Sequence, residues 1–271
     1  MRRGRFVLFP LLIAIAYAVF QYMGSETFVN PETGRSARVA LSSDEEAQLG
    51  VQSYREVLAQ SRVISHGPDY EMVKRVAARL AQVVDAEGVD FDWQVSLIES
   101  DQANAFCLPG GKIAVYTGIL PHTKTEGGLA AVMGHEMAHA VARHGSQRLL
   151  RTTLAQTVML GAQFSLYDMS MQDRHLVMAA LGAGAQFGVL LPFSRSHETE
   201  ADQMGLLYMA RAGYDPGEAI AFWERMHDAG SHRQPEFMST HPSHETRIRD
   251  LQAFLPKARE QMRTAVTRSR D

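Results

Sequence analysis

Apolar and polar positions follow several distinct periods along this chain, and each change of period marks an element. Phe6 to Ser25 is an uncharged run of 20 residues preceded by Arg2, Arg3 and Arg5. That matches the length an apolar helix needs to cross a bilayer. The arginines predict a cytoplasmic N-terminus with the remaining chain outside. A leader cleaved near Ala14-Ile15-Ala16 or Ala16-Tyr17-Ala18 is the alternative. Residues 26–41, with Asn30-Pro31 and Gly34, show no period and are expected to form a linker. Ser42 and Ser43 each have a glutamate three residues on, Glu45 and Glu46, a doubled capping box. A helix from Ser43 to about Gln60 is expected to follow, burying Leu49, Tyr54 and Leu58. After Pro68-Asp69, residues Met72, Val73, Val76, Leu80 and Val83 recur at helical spacing.

Trp93, Val95 and Leu97 then alternate with Asp92, Gln94 and Ser96, which predicts a strand with one wet face. Phe106-Cys107-Leu108, Pro109-Gly110-Gly111 and Ile113 to Tyr116 read as a hairpin. From Glu126 the pattern is helical almost to the end. Asp215-Pro216-Gly217-Glu218 opens one helix cleanly. Residues 229–242 form a Gly/Ser/His/Pro loop, a last helix runs from about Ser243 to Leu255, and the charged tail from Lys257 is expected to fray. Leu176 to Phe193 is a second uncharged stretch, 18 residues long. Its glycines and Pro192 predict a buried or surface-dipping hairpin rather than a span. The sum is an α+β chain, mostly α, with a small antiparallel sheet between helices. It divides into an anchor or leader (1–25), a linker (26–41), a main domain (42–256) and a tail (257–271).

Composition changes this picture in three places. Net charge is −3, from 27 basic and 30 acidic side chains, so there is no global basic footprint for nucleic acid. The single Cys107 excludes an intrachain disulfide and any CxxC motif. It reads as a buried hairpin residue, and a lipid-modified cysteine near residue 20 is excluded. The 11 histidines are the third feature, because of where they fall.

His135-Glu136-Met137-Ala138-His139 is an HExxH motif. On a helix, residues four apart share a face, so two imidazoles there can bind one zinc ion while Glu136 projects toward the reacting water. A catalytic zinc takes a third protein ligand and keeps a fourth position open. Ala142 and Gly145 stand where a metzincin has its glycine and third histidine, so that solution is excluded. Ser194 to Asp202 offers another: Glu198 as ligand with Asp202, one turn on, orienting a ligand imidazole. His197 and Glu200 are rivals on spacing alone. His241, in Ser239-Thr240-His241-Pro242, could reach over the site to bind an oxyanion, or fill the open position and block it.

These pieces resemble the membrane-associated gluzincin metallopeptidases that include the CAAX prenyl-protein endopeptidases, the HtpX heat-shock protease and the Oma-type quality-control proteases. The resemblance runs through Leu41 to Glu46 with Leu49-Gly50, Asn104-Ala105-Phe106, Leu108 to Ile113, Tyr116-Thr117-Gly118, HEMAH at 135–139, Ser194-Arg195, Glu198, Glu200-Ala201-Asp202, His241-Pro242 and Arg247, covering roughly 41–255. It implies a zincin-like fold with the HExxH helix at its centre, and one Zn2+ per chain held by His135, His139 and Glu198. Glu136 would be the base, with His241 and Arg247 at the active site. One apolar span places the chain near the single-anchor branch, at the inner membrane with its catalytic domain on the periplasmic side. The expected function is a zinc endopeptidase acting on misfolded or misassembled envelope proteins. The strand around Ile113 to Tyr116 is expected to pair with extended substrate, so that Asn104, Ile113 and Val115 touch it. Two alternatives are a zinc-bound but proteolytically silent chaperone or adaptor, and a membrane-tethered interaction protein without metal.

Overall fold

The computed structural model describes residues 7–85, 88–230, 235–241 and 246–268. Arg2, Arg3, Arg5, Pro242 and Ser243 lie outside the described residues. In chain order the elements are α1 (Leu8–Gly24), β1 (Glu26–Val29), β2 (Ser36–Val39), α2 (Ser43–Ala59), β3 (Val63–Ile64), α3 (Pro68–Asp85), β4 (Gln94–Ile98), β5 (Ala105–Leu108) and β6 (Lys112–Tyr116). Then follow α4 (Leu120–Thr123), α5 (Glu126–Val141), α6 (His144–Ser165), α7 (Met171–Ala185), a π-turn (Gln186–Leu190), α8 (Leu191–Arg211), α9 (Gly217–Gly230), α10 (Glu236–Thr240) and α11 (Arg247–Arg268). The chain forms two compact units.

The first unit holds the described residues up to Val29 together with Ser36–Ser42 and His144–His197. Here α1 packs along α6. Gly161 permits the close approach, since a Cβ there would sit 2.3 Å from the Ala14 Cβ. Ser165 closes the first turn of α1: its hydroxyl accepts from Leu11 N at 3.0 Å and its carbonyl from Val7 N at 3.0 Å. Val7 and Ser25 are both extended, so the uncharged run yields a helix of only 17 residues, about 26 Å long. Among the described residues no helix is long and apolar enough to cross a membrane. The expected linker is in part a two-stranded hairpin, β1 with β2 in register Glu26↔Val39. Four-residue strands are too short to display a period. Leu176 to Phe193 is no hairpin either. It is helical throughout, passing from α7 through the π-turn into α8, and α7 buries none of its side chains.

The second unit holds Asn30–Arg35, Ser43–Arg143 and the described chain from Glu198 on. Its sheet has the order β3-β4-β6-β5. The β3–β4 and β5–β6 pairs are antiparallel, as expected, while the central β4–β6 pair is parallel. Ile113 and Val115 point to the core with Leu80, Leu97, Leu129 and Met133, and Ala114 points to the opposite face beneath Tyr54 of α2. That second face is not wet: the Tyr54 hydroxyl donates to Ser96 Oγ at 2.8 Å. The phase of α2 is set at Gly50, where a Cβ would lie 2.1 Å from Pro109 O. Consequently Leu49 turns outward and is exposed, against expectation, while Tyr54 is buried.

Helix α5 is buried on nearly every side. Thr125 caps it by accepting from Gly128 N at 2.9 Å. The residue that follows its C-terminal turn in the left-handed region is Arg143 (φ 54°). Such a backbone costs on the order of 1–3 kcal/mol and persists only where its surroundings hold it. Here the Arg143 guanidinium meets the Glu46 carboxylate at 3.1 Å, both buried. Helix α11 continues to Arg268 through Pro256, past the point where the charge pattern predicts fraying.

Candidate metal centre

The close packing of two glycines builds the centre. Gly134 of α5 faces Gly205 of α8, and a Cβ on Gly205 would come within 3.0 Å of His135 N. With no side chain between the backbones, α8 lies directly against the HExxH helix. Glu198 and Asp202, earlier in α8 by about two turns and one turn, then face His135.

Five separations define the cluster. His139 Nε2 is 3.1 Å from His135 Nε2, and His135 Nε2 is 3.2 Å from His241 Nδ1. Glu198 carboxylate oxygens lie 3.1 Å from His241 Nδ1, 3.3 Å from His135 Nε2 and 3.4 Å from His139 Nε2. These values fit the edges of a tetrahedron whose corners are about 2.0 Å from its centre, the distance at which zinc holds nitrogen and oxygen ligands. The residues therefore fit a zinc ion, with His241 at the fourth corner. His241 caps α10 and its backbone N–H donates to Phe237 O at 2.9 Å.

A buried charged layer backs these donors. Asp202 Oδ1 is 3.0 Å from His135 Nδ1 and accepts from Arg247 Nη2 at 2.7 Å. Arg247 is only 2% exposed, donates from Nη1 to Glu198 at 3.2 Å, and lies 3.5 Å from the centre of the Trp223 ring. Burial opposes the charge on Asp202, but Arg247 and His135 hold its carboxyl below the usual range. Burial likewise opposes Glu198, yet hydrogen bonds from His135, His139 and His241 hold it far below. Burial lowers His135, but Asp202 and Glu198 outweigh it and raise the ring to about 9. His139 is pushed well below its ordinary value by burial. Glu136 is 4% exposed and burial raises its carboxyl. Among the described residues its Oε1 has no hydrogen-bond partner, although His241 Nε2 lies 3.2 Å away.

The two rival ligands face elsewhere. His197 stacks on His144 with ring centres 3.9 Å apart, and its Nε2 lies 3.1 Å from Gln147 Oε1. Glu200 accepts from Arg35, Asn30 and Thr33 of the 30–35 loop at 2.6–3.0 Å. Ile113 and Val115 correct the expected substrate contact: β6 is paired on both sides and both side chains are buried, so it has no free edge to offer. Asn104 does lie beside an edge, preceding β5, with its carbonyl accepting from Tyr116 N at 3.1 Å. Cys107 is a half-buried β5 residue whose thiol burial raises well above its ordinary value. Trp223 and Phe237 escaped the sequence reading. Phe237 lies against His241, ring centres 4.7 Å apart, and its place four residues before that histidine was the available signal.

Residues 69–255 match the model of peptidase family M48. Mitochondrial metalloendopeptidase OMA1 of Schizosaccharomyces pombe is 40% identical over 231 residues, 83% of this chain and 65% of that protein. The protein of the same name from Arabidopsis thaliana is 40% identical over 165 residues, 61% of this chain and 32% of its own length. The beta-barrel assembly-enhancing protease of Escherichia coli is 30% identical over 245 residues, 88% of this chain and 49% of that protein. The chain thus spans a third to two thirds of these relatives. With more than half of its length matched by one family model, over a segment that contains the HExxH helix, Glu198, His241 and Arg247, the chain belongs to peptidase family M48.

Proposed function

We propose that this chain is a zinc-dependent endopeptidase of protein quality control, cutting misfolded or misassembled envelope proteins on the outer side of the cytoplasmic membrane. The observation that carries the reading is the meeting of three donor groups, His135, His139 and Glu198, within zinc-ligand spacing beside the buried Glu136. Zinc, when bound, supplies Lewis-acid polarisation of the scissile carbonyl and activates water. Glu136 takes the proton of the attacking water and delivers it to the leaving amine, and burial makes its carboxylate a stronger proton acceptor. Asp202 holds a proton on His135 Nδ1, which turns the Nε2 lone pair toward the metal. Arg247 balances the two buried carboxylates. Substrate adds to the outer edge of β5 near Asn104, the strand next to α5. The first unit contacts the membrane, and unidentified envelope assembly partners complete its setting.

His241 at the fourth corner favours a second reading, a zinc-bound chaperone that holds proteins without cutting them. Two variants separate the readings. Glu136→Gln is expected to keep one zinc per chain and lose cleavage of an unfolded protein, whereas His241→Ala is expected to cleave faster than the parent. Wild-type turnover by Glu136→Gln would remove the assigned base. Binding without cleavage by both parent and His241→Ala would establish the silent reading.

A further inference from the structure

The first unit contains an open groove of about 460 Å³, a volume in the range of small-ligand sites. Leu11 and Ile15 of α1, Leu154, Ala155 and Val158 of α6 and Leu181 of α7 are among the residues that line it. Among the described residues Arg151 is the single charged one that lines it. That guanidinium is exposed, rests 3.8 Å from the centre of the Phe193 ring, and makes no ion pair among the described residues. A site for a polar metabolite has several convergent polar groups. This one has a long apolar wall and one cation at its end, the complement of an amphiphile with a single anionic head.

The surroundings agree. Among the described residues, the second unit exposes only Leu49 and Val63 of its large hydrophobic side chains. The first exposes many, including Phe9, Phe20 and Met23 of α1, Phe164 of α6 and Leu176 of α7. Apolar surface on that scale marks a partner or a lipid phase. Helix α1 is about 26 Å long, short of the roughly 30 Å hydrocarbon core, which suits an element lying in one leaflet. Among the described residues no acid lines the groove, so the charge of Arg151 is left for an occupant to meet.

We infer that the groove between α1, α6 and α7 holds one acyl chain of an anionic phospholipid, with the phosphate against Arg151, while the surrounding apolar side chains enter the same leaflet. This rests on the membrane contact proposed above and names its lipid.

The test uses the full chain, delipidated in detergent and given phosphatidylglycerol or phosphatidylcholine. Native mass spectrometry is expected to show one phosphatidylglycerol retained per chain. Ala155→Phe, which fills the groove, is expected to lose the adduct, and Arg151→Gln to weaken it about fivefold, the worth of one cation at an anionic surface. Flotation with phosphatidylcholine vesicles tests membrane contact separately, and Ala155→Phe is expected to float still. Circular dichroism and zinc content, expected unchanged, exclude misfolding. Equal retention of both lipids, or an adduct that survives Ala155→Phe, overturns the groove assignment while leaving membrane contact standing. A chain that does not float overturns both. A dimer that Ala155→Phe dissociates would make the occupant a second copy and overturn the inference.

Discussion

Arg247 joins most of the chemistry of the centre through one side chain. Its two terminal nitrogens reach different carboxylates, Glu198 and Asp202, and its face lies on Trp223. A lysine carries the same charge but lacks the planar fork. Arg247→Lys is therefore expected to leave one carboxylate without its partner and lower zinc affinity about 10–100-fold, with the folded far-ultraviolet spectrum unchanged. Competition against a chromogenic chelator measures it, and wild-type affinity would make Arg247 a packing residue. At this scale much was legible. HEMAH and the Glu198/Asp202 pair can be read because helical spacing puts such residues on one face. Choosing Glu198 over His197 and Glu200 needed the family resemblance, since all three sit within one turn. Trp223 and Phe237 were not legible, because an aromatic residue in an apolar pattern looks the same whether it packs a core or supports a ligand.

Between elements, the decisive contact has no side chain at all. Gly134 and Gly205 let two helix backbones meet, and the proposed metal donors depend on that approach. A methyl at Gly205 must displace His135 N or push α8 outward. Gly205→Ala is expected to destabilise the protein by about 1–3 kcal/mol and to weaken zinc binding, read by thermal melts and zinc titration. An unchanged melt and unchanged zinc affinity would show that the helices have room to spare. Helices α2, α3 and α5 could be read from caps and periodicity because those signals are local. The parallel β4–β6 pairing could not, since nothing within either strand specifies a partner. The phase of α2 was misread for the same reason: Pro109, far along the chain, decides which face is buried.

For the molecule as a whole, the centre ties together segments that are distant in sequence. His135 and His241 are 106 positions apart and Glu198 and His241 are 43 apart. A zinc ion bound only by the folded chain stabilises it by about 4 kcal/mol at a free concentration about 1,000 times Kd. Removing zinc is therefore expected to lower the melting temperature by about 8–16 °C, reversibly on adding zinc back. A melt indifferent to chelator would contradict the ligand set. The same order of ligands has a meaning for biosynthesis. A ribosome delivers His135 and His139 first, then Glu198, and the ring at the fourth corner last. A polypeptide stopped between Glu198 and His241 carries the three proposed ligands without the ring at the fourth corner. In the making of this protein, the parts of an open centre come before its closure.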